Sequence, residues 1–235
     1  MRMQETVMLE GQEFPIHITR HGRARRYVLK FDSENDIIKL TVPKRASIKG
    51  GVEFTQSRAN WLFQQMHKAG ERIQLEPGIT FPLLGLPTLL AHQPGRGVAE
   101  LDEMEQPQML TIHGHTDFFS SRLKRYLQNY LREFIQPIAK DYAGQLGVSF
   151  RKISVRDTKS HWGSCAPDGS LSFAFRLVFA EPDLVDYIVA HEVAHLREMN
   201  HSPAFWKHVE QICPDYKQQK QWFKAHGGEL EQYML

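Results

Sequence analysis

The chain has 235 residues, 41% hydrophobic and 24% charged, with a formal net charge of +2. That is apolar mass for one large or two small folded cores, with no apolar run near the roughly 18 residues of a membrane span and a charge too balanced to imply nucleic acid by itself. Two cysteines, Cys165 and Cys213, make no disulfide framework, and Met1-Arg2-Met3-Gln4-Glu5 leads into no signal-peptide core, so the expected compartment is the cytoplasm.

Residues 7–43 read as β-rich. Phe14, Ile16 and Ile18 alternate, as do Tyr27, Leu29 and Phe31, then Ile38, Leu40 and Val42. Between the first two of these strands lies the densest basic cluster, Arg20-His21-Gly22-Arg23-Ala24-Arg25-Arg26. It reads as a solvated hairpin, or more sharply as an anion or nucleic-acid contact. A second turn is expected over Asp32 to Asp36, and Pro43 closes the third strand. Ser47 to Ala69 reads as one helix carrying Val52, Phe54, Trp61, Leu62 and Met66 and stopped by Gly70. Residues 71–115 hold short strands broken by prolines and glycines. His113 and His115 form an H-x-H pair with no supporting cysteine or carboxylate cluster, which favours a polar strand end over a metal site.

From Asp117 the period changes. Leu123, Tyr126, Leu127, Tyr130, Leu131, Phe134, Ile135, Ile138 and Tyr142 recur at threes and fours, the pattern of a long amphipathic helix, with a kink expected at Pro137 and an end at Gly144 or Gly147. A strand over 148–155, the loop through Trp162-Gly163-Ser164-Cys165, a hairpin turn at Asp168-Gly169 and a strand over 170–178 follow. Trp162 and Cys165 read as packing residues. Glu181-Pro182-Asp183 opens a helix with proline at N1 and acids near its N-terminus.

That helix carries the densest chemistry. Ala190-His191-Glu192-Val193-Ala194-His195-Leu196 reads H-E-x-x-H, and His201 follows. Positions four apart share a helix face about 6 Å apart along the axis, so His191 and His195 can bind one metal ion. Glu192, turned about 100° from the first ligand, is placed to hold a water as general base. The flanking Leu184, Val185, Ile188, Val189 and Leu196 bury the helix, where unpartnered polar groups would be costly. Glu198 shares the histidine face but lies about 10 Å along the axis from His191. His201 can supply the third ligand if the helix ends near Asn200 and the chain folds back, and Ser202-Pro203 is a helix start of the right kind. His208 and Glu210 are the alternatives. Asp215 can cap a last helix ending at Gly227-Gly228.

Trp162-Gly163-Ser164-Cys165, Phe175-Arg176-Leu177, residues 186–196, Asn200-His201-Ser202, Phe205-Trp206 and Cys213-Pro214-Asp215-Tyr216 together resemble the YgjP-like metallopeptidases, relatives of the WLM and SprT-like proteases. The resemblance covers roughly residues 150–225 and, more loosely, the N-terminal part around Val42-Pro43-Lys44-Arg45-Ala46. It implies an α+β fold with a zincin-like catalytic domain, 116–235, preceded by a smaller β-rich region, 1–115, with one helix. It implies one Zn2+ on His191, His195 and His201, with Glu192 as base. The family often has asparagine where this chain has Ala174. Glu198 and the lack of a Met-turn set the chain apart from the metzincins, whose histidine spacing it shares.

The expected activity is a zinc-dependent hydrolase, foremost a metallopeptidase acting on a peptide or protein. Two alternatives keep the metal: a phosphohydrolase acting on nucleotides held by Arg23, Arg25 and Arg26, and a DNA-associated protease with nucleic acid as partner. A fourth, purely structural zinc would normally have four protein ligands. Tyr216, His226 and His161 are candidate oxyanion stabilisers, and no membrane is expected as a partner. If strand 170–178 were a free edge, an extended peptide could add to it.

Overall fold

The computed structural model describes residues 2–32, 35, 37–68, 72–158 and 161–235. Of the expected turn over Asp32 to Asp36, residues 33, 34 and 36 lie outside these, as do Ala69 and the helix stop at Gly70. The chain is α+β and divides into two compact units, Met1–Glu71 and Arg72–Leu235.

The first unit is a four-stranded sheet with two helices against one face. Strands β1 (Arg2–Leu9) and β2 (Gln12–His21) form a hairpin whose two turn residues, Glu10 and Gly11, have φ of 48° and 87°. Positive φ at both positions is the primed turn that matches strand twist. Strands β3 (Val28–Asp32) and β4 (Ile37–Pro43) complete the order β1-β2-β4-β3. The alternating Ile16, Ile18, Ile38, Leu40 and Val42 all face the core. Strands β2 and β3 do not pair: β2 runs parallel to β4. The basic stretch Arg20–Arg26 is therefore a crossover, not a hairpin. The single expected helix is two, α1 (Ile48–Gln56) and α2 (Ala59–Lys68). Ser47 caps the first by accepting from the Gly50 amide, and Ser57 ends it, its hydroxyl donating to the Phe54 carbonyl at 2.8 Å. A serine bonding its own preceding turn competes with helix continuation.

In the second unit, β5 (Ile73–Gln74) precedes a four-stranded sheet of β6 (Thr80–Leu83), β7 (Leu86–Gln93), β8 (Glu100–Asp102) and β9 (Gln108–His113), in the order β6-β7-β9-β8. Its Phe81, Leu83, Leu90, Leu110 and Ile112 enter the same core as the helices that follow. This shared core joins residues 72–115 to the helices that follow, and the boundary between the two compact units falls after Glu71. Helix α3 (Phe119–Leu146) buries Leu123, Leu127, Leu131, Ile135, Ala139, Tyr142 and Leu146 along one stripe, carries Pro137 on its exposed side, and ends on Gly147 at φ 62°. That left-handed cap is one glycine adopts without steric penalty.

Strands β10 (Lys152–Arg156), β11 (Gly163–Cys165) and β12 (Ser170–Ala174) form a three-stranded sheet ordered β10-β12-β11. The expected strand over 170–178 stops at Ala174. Phe175–Phe179 is a 3-10 turn with all five residues buried, which an alternating strand facing solvent on one side could not achieve. Buried Arg176 pairs there with Asp157 and lies over the Phe175 ring, while Lys124 reaches Asp157 at 2.6 Å. Helix α4 (Pro182–Ala194) packs along α3, and α5 (Pro203–Ile212) and α6 (Tyr216–His226) pack on α4. Asp215 holds the N-cap position of α6 without a side-chain cap bond. The closing strand β13 (Tyr233–Met234) pairs parallel with β5. Among the described residues, no helix is long and apolar enough to cross a membrane.

Candidate metal centre

Helix α4 is apolar nearly all round. Leu184, Val185, Ile188, Val189, Ala190, Val193 and Ala194 are buried, and the helix sits inside the larger core. Proline at its first position and Asp183 in its first turn start it. Its last turn carries the polar exceptions, His191 and Glu192, and His195 caps it.

The helix ends at Ala194, more than a turn and a half before the expected end near Asn200. Arg197 explains part of this, since its Nε donates to the Leu146 carbonyl at the end of α3, 2.8 Å away. The segment that follows is held by its own side chains. Asn200 donates to the Glu198 carboxylate at 2.6 Å and accepts from the Ser202 amide at 2.9 Å. Ser202 then caps α5 by accepting from the Phe205 amide, with Pro203 at the first helical position. These bonds turn the chain back and deliver His201 to α4.

The three histidines meet. One ring nitrogen from each of His191, His195 and His201 lies within 4.8 Å of the others, the one such group of three among the described residues. The Nε2 atoms of His191 and His201 are 3.0 Å apart. His195 Nδ1 lies 3.0 Å from the Glu198 carbonyl, so it is the donor and Nε2 is left free as a ligand. His191 Nδ1 is buried with no hydrogen-bond partner among the described residues. Glu198, which the sequence offers on the histidine face, instead holds Asn200. His208 and Glu210 stand outside the group, and Glu210 pairs with Lys217 at 3.0 Å.

Burial sets the charge states. The imidazole of His191 is pushed down to about 3, first by burial and then by the charges of His195, His201 and Lys220. Burial lowers His195 as well. Glu192 is 4% exposed, and burial pushes its carboxyl up to about 8. Neutral imidazoles are the form that binds metal, and an all-nitrogen donor set of three suits zinc with a position left for water or substrate. The residues present therefore fit a zinc ion.

Several side chains that the sequence did not assign a role complete the centre. Phe205, fully buried, lies with its ring centroid 4.5–4.9 Å from all three imidazoles. Trp206 stacks on His201 at 5.9 Å, Tyr216 stacks on Trp206 at 5.3 Å, and Lys220 Nζ lies 3.7 Å over the Trp206 ring. The motif Phe205-Trp206 was visible in the sequence, but its contact with the ligands was not. Gly163, on the edge strand β11, passes against the acid: a Cβ there would stand 2.5 Å from Glu192 Oε1. Only glycine leaves the carboxylate that room.

The other candidates are not among the three grouped ligands. Trp162 packs on Phe223 at 5.6 Å. Cys165 is half-buried near Glu192, its thiol pushed up to about 11 by burial and then by that acid and Asp168. His226 bonds Glu229 at 2.7 Å, Tyr216 is stacked on Trp206, and the His161 carbonyl accepts from Thr158. His113 lies 4.0 Å from Glu100, and His115 accepts from the Asp117 amide.

A family model described as YgjP-like, metallopeptidase domain, matches residues 25–226. The chain belongs to the YgjP-like metallopeptidase family. Membership supports a metal-dependent peptidase, hence a hydrolase with a peptide or protein substrate, and implies a metal that is typically zinc. Among solved structures, this YgjP-like chain is similar to the metallopeptidase zymogen of Pyrococcus abyssi abylysin, at 22% identity and a TM-score of 0.37, over 43% of this chain and 99% of that one. No curated protein sequence matches it.

Proposed function

We propose that the protein is a zinc-dependent metallopeptidase in which His191, His195 and His201 hold one zinc ion and Glu192 is the general base. The observation that carries this reading is the meeting of three imidazole nitrogens within 4.8 Å beside a carboxyl that is 4% exposed. Zinc bound there would polarise a peptide carbonyl and lower the pKa of water toward about 7.

The chain's own residues do the rest. Glu192, raised by burial into the range useful at neutral pH, accepts the proton of the attacking water and passes it to the leaving amine. Phe205 and Trp206 hold the imidazoles in place and keep bulk water from their faces. Lys220, whose charge is felt by His191, is a positive group suited to the charge that develops on the carbonyl oxygen. The strand expected to accept a substrate, β12, is the central strand of its sheet and has no free edge. The edges are β10 and β11, and an extended peptide added along Gly163–Cys165 of β11 would run past Glu192.

The rival readings have less support. A structural zinc site is usually closed by four protein ligands, and the group here has three. A nucleotide phosphohydrolase using Arg23, Arg25 and Arg26 makes a different prediction, which the same experiment reads. The test compares wild type with Glu192→Gln, both zinc-loaded, on a mixed pool of unstructured peptides and nucleoside triphosphates, read by mass spectrometry. Peptide cuts that vanish in the variant are expected. Loss of nucleotide with intact peptides would replace the peptidase with a phosphohydrolase.

A further inference from the structure

The unit Met1–Glu71 contributes nothing to the metal group, yet it carries a cavity of its own. This cavity, about 490 Å³, lies between the edge strand β3 and the break between α1 and α2. Its lining includes three aromatic rings, Tyr27, Phe54 and Trp61, and two arginines, Arg26 and Arg58, with no acid among the described residues.

The rings are set deliberately. Tyr27 stacks on Phe54 at 5.7 Å, and its hydroxyl donates to the Ser47 carbonyl at 3.0 Å. Its ring lies so close to α1 that a Cβ at Gly50 would stand 2.8 Å from the Tyr27 oxygen, and one at Gly51 3.3 Å from its ring. Two adjacent glycines in a helix each destabilise it by about 1 kcal/mol, and here they make room for this tyrosine. Trp61 remains 38% exposed, a large ring left in water. Arg58 lies over the Phe54 ring, and both pocket arginines are exposed with no carboxylate partner among the described residues.

The two charged residues of the lining, Arg26 and Arg58, are both positive. Arg20 is committed to the structure, its guanidinium donating to the carbonyls of Pro43, Lys44 and Ala46. Arg23 and Arg25 stay exposed beside Arg26. The near-neutral total conceals an asymmetry. Met1–Glu71 has 12 Lys and Arg against 8 Asp and Glu, a formal +4, while Arg72–Leu235 has 17 against 19, a formal −2. Such an imbalance between halves points to an anionic partner of the basic half.

We propose that this cavity is a binding site for single-stranded nucleic acid. Bases stack on Trp61 and on the Tyr27–Phe54 pair, and Arg26 and Arg58 hold the flanking phosphates. Aromatic platforms beside a basic, acid-free groove are the combination that unpaired bases need, whereas an acidic peptide would need the arginines and not the rings. A crossover rich in arginine then extends the phosphate track. The site is independent of the peptidase reading, because it shares no residue with the metal centre and its readout is binding.

The test measures fluorescence anisotropy of a labelled oligothymidylate of about twelve nucleotides against the full chain at ~50 and ~200 mM salt. Trp61→Ala is expected to weaken binding about tenfold at either salt, and Trp61→Phe to retain it. Arg26→Ala with Arg58→Ala should weaken binding and flatten the log–log salt slope by about 1.4, two phosphate contacts' worth on a single strand. Lys140→Ala with Lys152→Ala, the same charge loss in the other unit, should change little. No binding at the lower salt overturns the proposal. So does equal weakening by the lysine pair, or an affinity that ignores Trp61, since either describes a diffuse basic surface. Equal affinity for polyglutamate, lost with the arginines alone, would make the cavity an acidic-peptide site instead.

Discussion

The two units carry their chemistry in opposite ways. In Arg72–Leu235 the side chains of the proposed site are set into the wall of an apolar core, and burial decides their protonation: His191 held neutral, Glu192 pushed up to about 8. In Met1–Glu71 the arginines and Trp61 stand outside the core, and what decides their behaviour is geometry and the local balance of charge. A buried site is sensitive to single atoms, while an exposed one is sensitive to salt.

The sharpest break in that contrast is at Glu192. Glu192→Gln should retain the metal and lower peptide turnover by about 10²–10⁴, measured as kcat on any cleaved peptide. His201→Ala should weaken zinc by more than about 100-fold in a competition titration, since even the loss of a ligand's supporting hydrogen bond reaches that size. Retention of wild-type affinity would move the third ligand elsewhere. Gly163→Ala places a methyl against the Glu192 carboxylate, and should lower kcat by about 10² while leaving zinc affinity unchanged.

The buried acid also makes a pH prediction for the metal-free protein. Its carboxyl titrates near 8 when folded and near 4.5 as an ordinary glutamate, so between those values the unfolded chain releases a proton that the folded one keeps. Stability therefore falls as pH rises through that window. Lowered His191 acts on the acid side, and equally in wild type and variant. Chemical denaturation in chelator from pH 5 to 8 should show Glu192→Gln gaining roughly 3 kcal/mol on wild type. The smallest effect is at the base of the same helix. The Tyr142 hydroxyl, 2.7 Å from both oxygens of Asp186, donates to that carboxyl from α3, and Tyr142→Phe should lower stability by about 1–2 kcal/mol.

What could be read in advance follows the range of the interactions. His191, Glu192 and His195 stand out because helical spacing is local, and Ser202-Pro203 announces a helix start by chemistry confined to two residues. The stripe on α3 and the alternation of β2 and β4 are periodic for the same reason. Long-range contacts were not legible. Leu196-Arg197-Glu198-Met199 contains good helix formers, and it leaves the helix because Arg197 finds a carbonyl on α3. The parallel pairing of β2 with β4 depends on residues about twenty positions apart. The division after Glu71 depends on which core the strands of 72–115 join, and short strands broken by prolines and glycines do not disclose their partner. Gly163 reads as part of a loop motif, and its close approach to Glu192 exists only in three dimensions.

The early end of α4 gives the metal centre two unequal jaws. His191 and His195 ride a helix fixed by the surrounding core, so their half of the chelate is preformed whether or not an ion is present. His201 hangs on a short tether whose stiffness comes from Asn200 gripping Glu198 and Ser202. A tether sets the effective concentration of the third ligand. If the three histidines hold an ion as proposed, its exchange would be governed by the clasp at Asn200: loosening it would let His201 swing away while the helix beneath stays folded.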